Sequence, residues 1–248
     1  MTKFERFTWD GPEMVATLEV EDLRAGYATG DVLQGVSIRV DPGEVVGVLG
    51  RNGVGKSTLM KAVIGLLRAR SGTVRFKSDD ITREGAHLRA RRGIAYVPQG
   101  REIFPHMSVL DNLRMGQFVN RSAGTFNIEQ VQGWFPFLRD RIRQRGGTLS
   151  GGQQEMLAIA RALVNGPELL LLDEPSDGVQ PSIVDEIGGF VTKLVQGSPL
   201  GVLIVEQNIN LLQTVAQRAY VMEKGVVVAT LDRDELRDTE RVASFLAV

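Results

Sequence analysis

Apolar and polar positions alternate early in the chain. Thr17, Glu19 and Glu21 interleave with Leu18, Val20 and Asp22, and Val36, Ile38 and Val40 interleave with Ser37 and Arg39. A period of two predicts half-buried strands, and Asp41-Pro42-Gly43-Glu44 is a turn signal. The early region therefore predicts antiparallel β structure. At Val45 the pattern changes to the continuous apolar run Val45-Val46-Gly47-Val48-Leu49, expected of a strand buried on both faces. Further buried-strand candidates are residues 94–97, 169–172, 202–205 and 220–222, most of them separated by helical patterns. Strands alternating with helices predict a mostly parallel sheet.

After the first apolar run, Leu59, Met60, Val63 and Leu67 fall on one side of a predicted helix. Residues of about 100–165 carry few strand signals. There Ser108-Val109-Leu110-Asp111 fits a capping box, and Met156, Ile159, Ala160 and Leu163 recur at helical spacing until Asn165-Gly166-Pro167 stops them. The expectation is a helical insert between two strands of the sheet. Lys224-Gly225 followed by residues 226–228 predicts a hairpin, and residues 239–246 a short last helix. Residues 1–15 show no period and are expected to be an extension; residues 16–248 are expected to form a single domain.

Composition narrows the function classes. The chain has 248 residues, with 29 Lys+Arg against 30 Asp+Glu and a net charge of −1. That balance argues against bulk nucleic-acid affinity, which needs a strongly basic face. With 43% hydrophobic and 24% charged residues, the chain is not disordered by composition. No cysteine is present, which removes disulfides, thiolate metal sites and cysteine nucleophiles together. The two histidines, His87 and His106, exclude a His-rich metal site and are expected at the surface or an interface. The N-terminal residues have no apolar core of a secretory signal, and no run approaches the roughly 18 residues of a membrane span. The chain is expected to stay in the cytoplasm.

The strongest chemical signal is Gly50-Arg51-Asn52-Gly53-Val54-Gly55-Lys56-Ser57, which matches G-x-x-x-x-G-K-[ST] between a buried strand and a helix; Thr58 follows in the first helical turn. Glycines let backbone N–H groups converge on phosphates, and the helix dipole favours the anion. Lys56 is expected on the β- and γ-phosphates and Ser57 on Mg²⁺. Leu172-Asp173-Glu174 ends an apolar strand in two acids. Asp173 is placed to hold Mg²⁺, and Glu174 to polarise a water for attack on the γ-phosphate. Leu149-Ser150-Gly151-Gly152-Gln153 admits two readings. Ser-x-x-Gln is a capping box, yet two glycines in a first helical turn leave bare N–H groups at a positive helix end. A second phosphate-binding element suggests a site completed by another subunit.

Other residues have plainer expectations. Arg89, Arg91 and Arg92 read as a solvated helix face, and Trp9 and Trp134 as packing or interface residues. Residues 98–107 are apolar for a loop, which suits internal packing or a docking surface for a partner.

The order of phosphate loop, Tyr96-Val97-Pro98-Gln99, Leu149-Ser150-Gly151-Gly152-Gln153 and Leu172-Asp173-Glu174 resembles ABC transporter ATP-binding subunits over about residues 16–230. The resemblance implies an ABC ATPase fold: a P-loop NTPase core with a mostly parallel sheet, an N-terminal antiparallel β subdomain and a helical insert. It implies ATP and Mg²⁺ as ligands. It implies two cassettes paired head-to-tail, with ATP between one phosphate loop and the other cassette's Ser150-Gly151-Gly152-Gln153. Tyr27 matches the aromatic residue that stacks on adenine, and Gln99 the glutamine that reaches Mg²⁺ and the attacking water. The position usually held by a γ-phosphate-contacting histidine is Gln207, and an aspartate often found after the catalytic glutamate is replaced by Gln180.

Closer resemblance is to ATPases of branched-chain amino acid importers, and especially of urea-type importers. It is carried by Pro98-Gln99-Gly100-Arg101-Glu102-Ile103-Phe104-Pro105, Asp173-Glu174-Pro175-Ser176-Asp177-Gly178-Val179-Gln180-Pro181 and Val205-Glu206-Gln207-Asn208, with the phosphate loop. It implies import of small polar solutes (urea, short amides or branched-chain amino acids) at the cytoplasmic face of the membrane. The implied partners are a second related ATPase or a second copy of this chain, two transmembrane permeases and a solute-binding protein. The alternatives are the ATPase of a lipid or polysaccharide exporter, a soluble ABC ATPase unlinked to transport, and a kinase using only the phosphate loop. A kinase leaves Ser150-Gly151-Gly152-Gln153 unexplained. A soluble ABC protein is expected to need two cassettes or long inserts, for which one cassette of this length leaves no room.

Overall fold

In the computed structural model, which describes residues 15–28, 30–119 and 128–246, the alternating N-terminal segments pair antiparallel. β1 (Leu18–Tyr27) lies between β2 (Gly30–Val40) and β4 (Ala69–Phe76), and β5 (Asp79–Asp80) completes the four-stranded sheet β2-β1-β4-β5. The continuous apolar runs build a second sheet. β3 (Val45–Leu49), β6 (Ile94–Val97), β7 (Leu169–Asp173), β8 (Gly201–Glu206), β9 (Arg218–Glu223) and β10 (Val226–Asp232) take the order β10-β9-β3-β8-β7-β6. Its pairings are parallel except for the β9–β10 hairpin. Successive residues of one strand enter different cores, as a period-two chain requires. Val46, Val48, Leu169 and Leu171 pack under the antiparallel sheet with α1 (Lys56–Ile64). Val45, Leu49, Leu170 and Leu172 pack on the opposite face, with Leu157 and Val191 among their neighbours.

Between β6 and β7 the described segments are helical: α3 (Val109–Gln117), α4 (Ile128–Trp134), α5 (Pro136–Asp140), a 3₁₀ turn (Gly146–Thr148) and α6 (Gly151–Leu163). Ser108 caps α3, accepting from the Asp111 N–H at 3.1 Å. The second arm of a capping box is absent. Asp111 is one methylene shorter than glutamate, and its carboxylate instead accepts the Ser108 hydroxyl at 2.6 Å. Trp134 packs by Phe190, with ring centroids 6.2 Å apart; Trp9 lies outside the described residues. Beyond β7 come α7 (Pro181–Val195), α8 (Ile209–Val215), α9 (Arg233–Arg237) and α10 (Thr239–Leu246). Among the described residues no helix is long and apolar enough to cross a membrane.

Two expectations are corrected where α1 ends. Gly65 is left-handed, φ 82°, and stops the helix before Leu67. A Cβ on Gly65 would also lie 2.8 Å from the Glu84 carbonyl oxygen. Arg89, on α2 (Ala86–Arg91), is no solvated residue: it is 1% exposed. Its guanidinium donates to the carbonyls of Ala62 and Val63 at 2.9 and 2.7 Å, and to those of Glu84 and Thr82 at 3.0 and 2.9 Å. Apart from the Gly65 N–H, which reaches Ala62 O at 3.2 Å, the last carbonyls of α1 lack a following helical turn, and a guanidinium offers five donors in a fixed fork. Arg91 and Arg92 are exposed, and Arg92 pairs with Glu84 and Asp79. Arg89→Met is expected to destabilise the fold by about 3 kcal/mol, because buried carbonyls are left unpaired. A urea midpoint unchanged from wild type would refute that role.

Candidate nucleotide site

β3 delivers the chain into the loop 50–55, and α1 begins at Lys56. The loop turns tightly because Gly53 and Gly55 adopt φ 81° and 109°. Two of its three glycines are crowded by neighbours, while Gly53 faces open space. A Cβ on Gly50 would lie 2.6 Å from the Met222 carbonyl oxygen, and one on Gly55 would lie 3.1 Å from Val32. The loop is pinned to the hairpin by Gly225 N–H donating to the Val54 carbonyl at 2.9 Å. No side chain caps α1. Its first N–H groups are therefore free for an anion. They border a cavity of about 370 Å³ lined by Asn52, Gly53, Gly55, Lys56, Ser57 and Thr58 of the loop and helix, and by Val32, Gln99 and Glu174 from other segments.

Lys56 is 3% exposed. Its ammonium donates to the carbonyls of Gly50 and Arg51 at 2.7 and 3.0 Å and pairs with Glu174 Oε1 at 2.9 Å. The other Glu174 oxygen accepts from Gln99 Nε2 at 3.1 Å, and the same amide reaches Asp177 at 3.1 Å. Glu174 has φ 51°, an uncommon region for a residue with a side chain. Its N–H bond to Val205 O at 2.9 Å, on the neighbouring strand, holds it there. Such strain costs on the order of 1–2 kcal/mol and is characteristic of functional sites.

Asp173 is buried between two hydroxyl donors, Ser57 Oγ at 3.0 Å and Tyr96 Oη at 2.9 Å. Burial raises its pKa, and the two hydrogen bonds oppose the rise. Burial and the Asp173 charge hold the Tyr96 proton far above the usual phenol range, so Tyr96 is a permanent donor. The Ser57 hydroxyl and the Asp173 carboxylate form a hard-oxygen pair beside the phosphate loop. That donor set fits Mg²⁺, which takes one or two protein oxygens and completes its shell with phosphate and water. No group of three or more His, Asp or Glu residues that could hold a metal occurs among the described residues.

Other predicted site residues lie outside the cavity lining. Tyr27 stands 46% exposed at the end of β1, its carbonyl accepting from Arg70 at 2.5 Å. Gln207 is exposed just after β8. Its N–H donates to Glu206 at 3.2 Å. Ser150-Gly151-Gly152-Gln153 opens α6 with a reciprocal capping box: Gln153 N–H to the Ser150 hydroxyl at 3.4 Å and Ser150 N–H to Gln153 Oε1 at 3.2 Å. The box uses the outer N–H groups and leaves those of Gly151 and Gly152 to the open first turn. A Cβ on Gly152 would lie 2.5 Å from Ile183.

Three participants escaped sequence reading. Val32 lines the cavity from β2. Tyr96 orients Asp173, although an aromatic residue on a strand reads simply as core. Glu206 is 2% exposed and gathers Ser176 N–H and Oγ–H at 2.9 Å each, with the Gln207 and Asn208 N–H groups at 3.2 Å. Burial raises its pKa, and these donors oppose the rise. The one signal for it was an acid ending an apolar run, as at Asp173.

Residues 33–177 match the family described as ABC transporter. The high-affinity branched-chain amino acid transport ATP-binding protein BraG of Pseudomonas aeruginosa is 39% identical over 228 residues, spanning 89% of this chain and 97% of BraG. The lipopolysaccharide export system ATP-binding protein LptB of Escherichia coli is 36% identical over 241 residues, spanning 92% of this chain and 95% of LptB. A nucleotide-free ATP-binding cassette from an ABC transporter superposes with a TM-score of 0.81 at 27% identity, covering 93% of this chain and 99% of that one. With the phosphate loop, the paired acids and the 150–153 turn in one fold, the chain belongs to the ABC transporter ATPases and is an ATP-binding, ATP-hydrolysing cassette.

Proposed function

We propose that this cassette energises an importer of small polar solutes, branched-chain amino acids foremost and urea and short amides within the class. The likeness to BraG and the sequence segments around Gln99 and Asp173 support import. The likeness to LptB supports the second reading, export of a lipid or polysaccharide. Both directions use the same nucleotide chemistry. ATP phosphates sit on the loop 50–55 and the first turn of α1, with Lys56 on the β- and γ-phosphates and Tyr27 against adenine. Ser57, Asp173 and Gln99 would hold Mg²⁺, which would neutralise charge on the phosphate oxygens. Glu174 accepts the proton of the attacking water, which Gln99 and Gln207 help to orient.

One observation carries the paired arrangement. The cavity holds the phosphate loop, Gln99 and Glu174 but none of residues 150–153, so this chain's open α6 turn is left for a nucleotide held by another cassette. That partner is a second, related ATPase in the main reading and a copy of this chain in the alternative. Two permeases seat the pair at the cytoplasmic face of the membrane. Their seat is a groove of about 560 Å³ lined by apolar Leu66, Phe104, Met115 and Val119, with Arg161 and Glu102 beside them. The Arg161 guanidinium lies 5.2 Å over the Phe104 ring, and burial lowers its pKa. A short permease helix with an apolar face and one carboxylate fits this groove.

The test is purification from membranes through a tag on this chain, followed by reconstitution. Import requires two permeases and a solute-binding protein in the complex, with ATP-dependent uptake of labelled leucine, valine, urea or acetamide. Recovery of lipid-export subunits, with no uptake of any of these solutes, would overturn it.

A further inference from the structure

The structure assigns Arg101 a positioning role in hydrolysis: its guanidinium latches the loop after Gln99 to the first turns of α6 and to the turn after Glu174, and so holds the open α6 turn and the hydrolytic carboxylate in register. The inference rests on the assignment of Glu174 as the base. Three segments meet at this side chain. Arg101 Nη2 donates to the Gly178 carbonyl at 3.2 Å, and Nε pairs with Glu155 Oε2 at 3.6 Å. The guanidinium also fills the space above the first turn of α6, where a Cβ on Gly151 would lie 3.1 Å from Nη1. Gly151 thus has two reasons to lack a side chain: the open N–H groups and the arginine above them.

The loop does not adopt this shape for its own comfort. Gly100, Arg101 and Glu102 are left-handed in succession, φ 85°, 72° and 42°. Two of the three carry side chains, for which that region is disfavoured. A strained run persists only where its surroundings over-determine it. The loop's own backbone bonds, Arg101 N–H to Pro98 O at 3.3 Å and Glu102 N–H to Gly100 O at 2.8 Å, hold part of it; the rest comes from the two Arg101 contacts and, two residues earlier, the Gln99 bonds to Glu174 and Asp177. One short loop therefore grips the hydrolytic turn at both ends and α6 in the middle.

Glu155 makes the latch conditional on charge. It is 4% exposed, and burial pushes its carboxyl up to about 7. The groups facing it are Arg101, which opposes that rise, and Glu206 and Asp177, which add to it. Above about pH 7 the pair is ionic. Below it Glu155 takes up a proton and the contact weakens.

The test uses the full chain with three changes: Arg101→Gln, Arg101→Lys and Glu155→Gln. Hydrogen exchange reads the latch directly. Arg101→Gln should speed exchange at amides 154–157, the first of α6 with backbone acceptors, at least tenfold and leave those of α1 unchanged. ATPase measurements should show kcat at least tenfold lower with ATP affinity within threefold of wild type. Arg101→Lys, which keeps the charge but not the fork, should recover part of kcat. Wild-type turnover should fall on the acid side of pH 7, and Glu155→Gln should remove that limb. Unchanged exchange at 154–157 overturns the latch, as does nucleotide affinity falling in parallel with kcat. Glu174→Gln runs alongside: if that variant turns over like wild type, the base assignment has failed, whereas the exchange result still decides the latch.

Discussion

Lys56→Ala is expected to weaken ATP binding a hundredfold to ten-thousandfold and to abolish measurable turnover. The ammonium is 3% exposed, so it meets phosphate oxygens without competing bulk water. It is fixed from behind by the Gly50 and Arg51 carbonyls at 2.7 and 3.0 Å. A bond to a charged group is worth about 1.5–3 kcal/mol. The ammonium has three hydrogens, so one turns from Glu174 and a second from a loop carbonyl to reach the β- and γ-phosphates; two such bonds, at about 1.4 kcal/mol per tenfold, give the stated range. The same ammonium pairs with Glu174 at 2.9 Å, so phosphates entering the cavity compete with that carboxylate. Alanine removes both partnerships and leaves Glu174 without its cation. Arginine should not rescue, because a planar fork cannot replace a point charge held between two carbonyls. Titration with a fluorescent ATP analogue checks the prediction, with a thermal melt as control for folding. Affinity within twofold of wild type would mean that the phosphate loop is not the nucleotide site.

Legibility in the sequence tracked burial. β3, β7 and β8 stood out because both faces of each strand are packed, so every residue is apolar apart from a terminal acid and the glycines. β4 was invisible. Its sequence ARSGTVRF lies in the antiparallel sheet, with only Val74 and Phe76 buried, and carries no sustained period. Arg89 was misplaced because charge argues for solvent, whereas here unpaired helix-end carbonyls draw a guanidinium inward. The helix-forming register at Leu67 was overridden by one left-handed glycine.

Within the site, spacing along the chain revealed the loop 50–57, Asp173 and Glu174, since each lies at the end of a buried strand. Tyr96 acts through a hydrogen bond to Asp173 on the neighbouring strand, 77 residues away, and Glu206 gathers Ser176 from 30 residues away; the acid ending an apolar run marks Glu206 but not its partner. Arg101 belongs to the same class. Its contacts at Glu155 and Gly178 are 54 and 77 residues away, and only the fold brings them together.

Glu174→Gln should keep ATP affinity near wild type while lowering single-turnover hydrolysis about 10²–10⁴-fold, the span of general-base catalysis. The amide keeps the shape of the side chain and can still accept from Gln99, whose Nε2 lies 3.1 Å from Glu174. It cannot take a proton from water. Backbone strain adds specificity to the test: at φ 51° the position tolerates a like-shaped side chain, so loss of rate reports chemistry rather than collapse. Gln207 supplies the contrast. Its amide can donate one bond and accept another but has no cationic form near neutral pH. Gln207→Ala should therefore cost neutral contacts only, about 0.5–1.5 kcal/mol each, or roughly a two- to tenfold loss per contact. A competing view holds that this cassette binds ATP passively while a partner cassette does the work, because glutamine stands where a histidine is usual. Under that view both changes leave the rate of the assembled transporter nearly untouched. A steep loss in Glu174→Gln beside a shallow one in Gln207→Ala shows that this chain's own site hydrolyses ATP with its glutamine in place.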